Sequence, residues 1–414
     1  MTESLRVEGD DRRPFVIPES LVDPAQLPPP IATSDPGSFA RYTFLERVPT
    51  ILQEAVAFNK FSGEPRRGLE GLLAEVAGGK IREISEQTPD RTFWNTVSED
   101  YIGRSWLDVP WYWAEAYLYR RVLEATGYFR PGPRQGHDPF AANKTTELVP
   151  EAAPAAVEQV IRQLSGDPAD RFRLLLYASL WGNRIDLSYK AATQVGRAAD
   201  PGESNQNVLA DDAANVWGFL NSRQARTIAV LADNAGTELL MDFLLIHELL
   251  DQGLAQRVDL HVKEQPFFVS DAMAQDVEHG LRALETGGVG SAAVARSLRG
   301  HLAATRLTIH THWHYTTSLF YFQIPDGLRQ MLSSLDLVIV KGDANYRRLL
   351  GDAHWPPTAS FEVATRYFPA PLVALRTLKA EIIVGLPSGL SERLDAEDPS
   401  WRVNGKRGLV QSRL

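Results

Sequence analysis

The stretch Thr227–Ile246, "TIAVLADNAGTELLMDFLLI", decides how the rest of the chain is read. A short β-branched and aliphatic run ends in Asp233-Asn234, turns at Gly236 and becomes helical within two residues. A run of this kind, bounded by turn residues, reads as a buried strand, and the apolar segment after it as a helix packed on that strand. Downstream, "RVDLHVK", "PFFVSD", "RLTIHTHWH", "LDLVIVKGD", "LVALRTLK" and "AEIIVGL" alternate with the helical "AQDVEHGLRALE" and "NYRRLLGD". Apolar strands alternating with helices predict a mostly parallel sheet covered on both faces. The fold class is therefore α/β, with a three-layer α/β/α domain over about 205–414.

Upstream the period is helical. "WYWAEAYLYRRVLEATGYF" places Trp111, Ala114, Leu118 and Val122 on one stripe, with Gly127 as its stop. "EAAPAAVEQVIRQLS" and "RFRLLLYASLWGNRIDLSY" continue in that mode, so 39–204 is expected to form a helical domain. Residues 1–38, with "DPAQLPPPIATSDPGS", read as an extended Pro-rich arm.

Composition narrows the function. The 414 residues are 44% hydrophobic and 23% charged, enough for a large ordered core. A formal charge of −9 argues against a nucleic-acid partner, which calls for a basic stripe. Cysteine is absent, which removes disulfides, thiolate metal sites and cysteine nucleophiles. The opening "MTESLRVEGDDRRPF" has no basic head leading into an apolar stretch, so no secretory signal is expected and a cytoplasmic location is. The longest apolar run, "ELLMDFLLIHELL", is interrupted by Asp242 and His247 and is too short to span a bilayer. Nothing in the chain indicates an oligomeric state.

In open α/β sheets, ligands bind beyond the carboxyl ends of the strands. The side chains expected there are Asp233 and Asn234, Asp271, Lys341 and Asp343, and Lys379, with Arg347, Arg376 and Thr377 close in sequence. Two oxygen-bearing side chains from one strand end and a carboxylate from another suit a hard divalent cation such as Mg²⁺ or Mn²⁺. Helix starts at Gly236–Glu238 and Asn345–Arg347 would aim backbone N–H groups at the same place. Lys379 and Arg347 could hold phosphate oxygens. Cation, basic side chains and dipoles converging on one point suggest a phosphoryl group. Each part also has a plain structural reading: Asp-Asn-x-Gly is a common turn and cap, and Asp271 or Asn345 could each cap a helix.

Four further features of the chain have competing readings. His310, His312 and His314 in "HTHWH" would share one face of a strand and could bind Zn²⁺, or could line a polar rim. The glycines of "ETGGVGSAAV" follow a helix rather than a strand, so they read as a connection and not as a dinucleotide fingerprint. Asn183 and Asp186 in "LWGNRIDLS" would share a helix face and either close the pocket or cap a helix end. Glu115, Arg120 and Arg121 read as a helix surface or an interface ion pair.

Together, "PWYWAEAYLYRRV", "LWGNRIDLS", "LADNAGTELLMDFLL", "PFFVSD", "DLVIVKGDANYRRLLGD" and "LRTLKAEIIVGL" resemble the damage-control phosphatase family. This family is also known as domain of unknown function 89, and the match is to its third, acidic-residue methyltransferase-like subfamily. The resemblance covers about 39–390, and Arg376-Thr377-Leu378-Lys379 matches the subfamily's Arg-Thr-x-Lys signature. It implies a metal-dependent phosphatase of small phosphometabolites, fructose 1-phosphate and related sugar phosphates. It also implies Asp233, Asn234 and Asp271 as ligands of Mn²⁺, Co²⁺ or Ni²⁺. Glu238, the stretch from Asp343 through Asn345 and Tyr346 to Arg347, and Lys379 would contact the substrate. Ala344 and Ala116 depart from the family's usual residues. The subfamily's label leaves S-adenosylmethionine-dependent carboxyl methyl transfer as an alternative, and recruitment to a specialised pathway with another substrate as a further one.

Overall fold

Arg226–Leu231 form the strand that their composition predicts, and it lies inside the sheet with a partner on each side. The computed structural model describes residues 7–9, 15–147, 152–164, 166–187, 207–222 and 226–414. In chain order its strands are β1 (Val7–Gly9), β2 (Val208–Asp211), β3 (Arg226–Leu231), β4 (Ala255–Val262), β5 (Leu307–Thr311), β6 (Leu337–Lys341), β7 (Leu372–Thr377) and β8 (Gly408–Arg413). They form one sheet in the order β1-β5-β4-β3-β6-β7-β8-β2. The strands from β1 across to β7 are parallel, whereas β8 runs antiparallel to β7 and pairs in parallel with β2.

This order explains where a ligand can sit. From β3 the chain crosses through the helix Thr237–Asp251 to β4 on one side. From β6, which borders β3 on the other side, it passes through the helix Gly342–Leu350 and moves away to β7. The two connections diverge, so the carboxyl ends of β3 and β6 flank a crevice at a topological switch point.

Both faces of the sheet are buried. Ile228 and Val230 join one apolar cluster with Leu240, Phe243 and Ile246, while Ala229 and Leu231 join the opposite cluster with Trp111 and Tyr117. This is the alternation expected of a strand covered on two sides, and the domain is a three-layer α/β/α fold. The helices preceding the sheet are divided between its faces. Trp111–Thr126 packs in one cluster, while Ala152–Gln163 and Pro168–Leu187 pack in the other. Described parts of the expected arm are engaged as well: β1 borders β5, and Ile31 N–H donates to Asp352 O at 2.8 Å. Among the described residues no helix is long and apolar enough to cross a membrane.

Several segments differ from their sequence reading, each for a local reason. "PFFVSD" is not a strand, because Phe268 adopts φ 51° and breaks the extended run, leaving Asp271 in an isolated bridge. "AEIIVGL" is not one either. Its carbonyls at Ala380 and Ile382 accept from the Arg376 guanidinium and that at Val384 from Gln411 Nε2, so side chains take the place of a neighbouring strand. Strands β2 and β8 gave no comparable apolar signal. The helix Trp111–Thr126 ends at Gly127 (φ 76°) as expected, but it is buried on nearly every side instead of along one stripe. Its charges are therefore paired: Arg120 donates from Nε to Asp90 Oδ2 at 2.6 Å and from Nη2 to Asp90 Oδ1 at 2.9 Å.

The three histidines of "HTHWH" do not share a face. The strand stops at Thr311 and a 3₁₀ turn starts at Trp313, which ends the period-two alternation. His310 stacks on His261 with ring centroids 5.0 Å apart, whereas His314 Nδ1 faces the Arg348 guanidinium at 3.1 Å. A nitrogen that faces a cation is a poor metal ligand, so the zinc reading of this segment is not supported.

Two outcomes follow from this packing. Arg120→Ala leaves the buried Asp90 carboxylate without its counter-charge, and urea unfolding should register a loss of about 3–5 kcal/mol. His261 is buried with its Nδ1 2.9 Å from the Tyr315 hydroxyl, and burial pushes its imidazole down to about 3. An unfolded histidine titrates near pH ~6.5, so below that value the unfolded chain binds the extra proton and stability falls as pH drops toward the folded value. His261→Gln should make this fall in urea midpoint shallower than in the wild type.

Candidate active site

Beyond β3 the backbone is joined to two neighbouring segments. Ala232 N–H donates to His261 O at 3.0 Å, Ala235 N–H to Ser270 O at 2.7 Å, and Ala272 N–H to Asp233 O at 2.8 Å. Asn234 and Asp271 form an antiparallel bridge. Residues from two separate strand exits thus occupy one place. Asp271 does not cap the following helix, which begins after Met273.

The side chains form a compact acidic group. Asn234 donates from Nδ2 to Asp233 Oδ2 at 2.8 Å and to Glu238 Oε2 at 2.9 Å, and its Oδ1 accepts from Ser270 Oγ at 2.5 Å. Asp233 Oδ1 is buried and makes no hydrogen bond, while Asp271 Oδ2, likewise without one, has the Lys263 ammonium 3.2 Å away. Burial, then the charges of Glu238 and Asp271, push the Asp233 carboxyl well above its ordinary range, against the pull of Lys263 and Lys379. Burial also raises Asp271, with Lys263 opposing. Removed from water, like charges resist joint ionisation, and a cation relieves that cost.

The β6 exit closes on the same point. Gly342 has φ 82°, and a Cβ built on it would overlap the Asp233 carboxylate. Only glycine gives both the left-handed conformation and the space. Behind it, the Lys341 ammonium lies 3.3 Å from Glu238 Oε1 and 3.0 Å from Asp242 Oδ1, and donates to Ser179 O at 2.5 Å. Burial alone would lower Lys341, but Asp242 and Glu238 hold it above its ordinary value. Lys341 therefore braces Glu238 from behind. Asp242 reads in the sequence only as an interruption of an apolar run, and Lys263 was not singled out. Lys263 follows β4 directly, so the strand-end rule that found Asp233 could have found it too.

The other expected residues separate into distinct groups. Asp343 Oδ1 accepts from Arg376 Nε at 2.7 Å and from Lys379 N–H at 3.0 Å, which ties the β6 and β7 exits together. The Lys379 ammonium is half-buried and has no hydrogen bond or ion pair among the described residues, and its charge acts on Asp233. The helix after β6 starts at Gly342, three residues before the expected start, so Asn345 is no cap. Instead its amide donates to Ala232 O at 3.2 Å and to Lys341 O at 2.9 Å, and it accepts from the Tyr321 hydroxyl at 2.7 Å. Arg347 is paired with Asp352 at 2.8 Å and Glu115 at 2.6 Å beneath the Trp111 ring, and Arg376 is wholly buried. Tyr346 bonds Gln411 Oε1 at 2.8 Å and Thr377 bonds Leu180 O at 2.8 Å. These four brace the site's frame and do not face its acidic group with open donors. Asn183 and Asp186 lie on the helix Pro168–Leu187, but their side chains fall outside the described residues.

Two buried carboxylates, an amide, a half-buried lysine and two helix starts thus surround a topological switch point of an α/β/α fold. The damage-control phosphatase ARMT1-like domain model matches residues 43–394. The chain is 32% identical to damage-control phosphatase ARMT1 of Danio rerio, with 93% of this chain and 97% of that protein covered. It is 30% identical to the Xenopus tropicalis protein of the same name (91% and 96% covered) and 29% identical to the human one (94% and 99%). A solved structure of a DUF89 family protein from Pyrococcus horikoshii shares the fold, with TM-score 0.50 and 13% identity over 91% of this chain and 98% of that chain. The chain belongs to the damage-control phosphatase ARMT1-like family, and the enzyme class that this membership supports is a phosphatase.

Gly342→Ala should abolish phosphatase activity by driving a methyl group into the Asp233 carboxylate. Gly389→Ala is the control: its φ of 81° gives the same backbone strain in open space, so activity should be retained. Phosphate release from both variants, with circular dichroism to establish folding, separates the clash from the strain.

Proposed function

We propose that this chain hydrolyses phosphate monoesters of small metabolites, sugar phosphates such as fructose 1-phosphate, with a divalent ion held by Asp233, Asn234 and Asp271. The carrying observation is the Asp233 Oδ1 atom, buried without any hydrogen bond beside a second buried carboxylate. Such an atom is costly unless a cation shares it. The donor set fits a divalent ion: two carboxylates and an amide are oxygen ligands suited to Mg²⁺ or Mn²⁺, and Co²⁺ or Ni²⁺ accept them as well. Turning the Asn234 amide about its last torsion would bring Oδ1 to the place its Nδ2 now holds between Asp233 and Glu238. When bound, the ion supplies Lewis-acid polarisation of the phosphoryl group and a more acidic water.

The chain's own groups supply the remainder. Lys379, half-buried and open, binds the phosphoryl oxygens and offsets the charge that spreads over them during transfer. Backbone N–H groups at the starts of Thr237–Asp251 and Gly342–Leu350 add partial positive charge on the same side. Glu238, held by Lys341 and Asn234, is our candidate for taking a proton or binding a sugar hydroxyl. Asp343, which accepts from Arg376 and from Lys379 N–H, is our candidate for a contact with the sugar.

Sugar phosphates assayed for free phosphate with Mn²⁺, Co²⁺, Ni²⁺ or Mg²⁺ test this reading. Metal-dependent release is expected from at least one substrate, with loss in Asp233→Ala and in Asp271→Ala. Lys379→Ala should lower kcat by about 10²–10³-fold. Turnover that persists undiminished in Asp233→Ala would remove the metal assignment, and no release with any ion and any substrate would remove the phosphatase reading.

A further inference from the structure

The helix Thr237–Asp251 starts in the acidic group and ends in a second cluster that the proposed chemistry does not use. His247, which interrupts the apolar run of this helix, lies one turn before Asp251, and both face His301 in the last turn of the helix Val289–Ala303. One donor atom from each lies within 4.8 Å of the others. His301 Nε2 is 2.7 Å from Asp251 Oδ1, and His247 Nδ1 is 3.5 Å from Asp251 Oδ2. Ligands of a tetrahedral zinc at about 2.0–2.2 Å stand roughly 3.3 Å from one another; the 3.5 Å separation of His247 from Asp251 is close to that, and the 2.7 Å His301–Asp251 contact is a hydrogen bond that an ion would replace with a small outward shift.

Three details favour a cation over a plain ion pair. His247 Nδ1 is buried and makes no hydrogen bond although it points at the carboxylate, which is how a ligand atom without its ion is placed. Ser297 Oγ donates to Asp251 Oδ1 at 3.0 Å, the outer contact that orients a ligating carboxylate. The cluster also lies at the carboxyl ends of two helices, where the backbone carries partial negative charge. The neighbouring Glu248 is neutralised by Arg171 through bonds of 2.9 and 2.6 Å, so Asp251 is the charge presented to an ion. Asp251 retains 39% side-chain exposure, which leaves a way in and room for water as a fourth ligand.

We propose that His247, Asp251 and His301 form a second divalent-metal site, separate from the strand-end site, that takes an imidazole-preferring ion such as Zn²⁺ and clamps the ends of two helices together. Two imidazoles and one carboxylate select Zn²⁺, Co²⁺ or Ni²⁺ over Mg²⁺. The clamp fixes the far end of the helix whose first turn carries Glu238.

Co²⁺ titration tests this site without reference to phosphatase activity. In the full chain carrying Asp233→Ala and Asp271→Ala, Co²⁺ should give the visible absorption of a tetrahedral nitrogen and oxygen site, and Zn²⁺ should displace it. Adding His247→Ala should weaken that binding by more than about 100-fold, since losing a ligand costs at least what losing an outer contact does. His247→Ala keeps the Asp251–His301 pair, so the urea midpoint without metal should stay near its parent's, while the Zn²⁺-induced rise in Tm is lost. If the double background does not fold, metal analysis of the wild type against His247→Ala should show one ion fewer in the variant. Tetrahedral Co²⁺ binding that is absent from the parent, or unchanged by His247→Ala, overturns the site. Failure of every phosphatase assay would leave these readouts standing.

Discussion

The carboxyl ends of β3 and β6 approach so closely that the Asp233 carboxylate fills the space a side chain at Gly342 would need. Most of the site follows from that contact. It requires a left-handed glycine on one turn and a buried acid on the other, and it brings residues that are distant in the chain into one dielectric environment. Burying Asp233, Asp271 and Glu238 together opposes their ionisation, so the surrounding structure has to provide positive charge. Lys263 and Lys341 do so from the β4 and β6 ends, and Asn234 contributes a neutral donor between two acids.

The basic residues around the site then differ according to what they neutralise. Arg347 is held by Glu115 and Asp352, Arg376 by Asp343 and two carbonyls, and Lys341 by Glu238 and Asp242. A buried guanidinium or ammonium persists only where acceptors surround it, so these groups keep the strand exits in register. Lys379 is the exception among them, because its ammonium is half-buried and has no such partner among the described residues. Lys379 is thus the cation near the acidic group that the frame does not require. The helix Thr237–Asp251 joins this acidic group at one end to the His247–Asp251–His301 cluster at the other, so a single element carries two different donor sets.

Much of this was legible in the residues. The run ending at Leu231, the turn at Gly236 and the helix after it follow from local period and turn chemistry, and β4, β6 and β7 follow from the same rule. Strand-end placement also indicates Asp233, Asn234, Asp343 and Lys379 as neighbours, and it reaches Asp271 only by way of "PFFVSD", which forms no strand. The reading failed where local pattern and tertiary context disagree. "AEIIVGL" has the composition of a strand, yet Arg376 and Gln411 supply its donors. "HTHWH" has the alternation of a strand, yet the chain turns at Trp313. Arg347 looked like a phosphate ligand because it follows a strand end, but its counter-charge Glu115 lies 232 positions earlier.

Sequence alone determined the layering, the parallel pairing and the strand exits that carry acids, because hydrophobic period and turn residues act within a few positions of one another. Tertiary structure alone decided which acids lack a partner, which cations are already neutralised, and that Gly342 must have no side chain. Those properties depend on distances between atoms far apart in the chain and on how much water is excluded between them, and neither is written in any local run of residues.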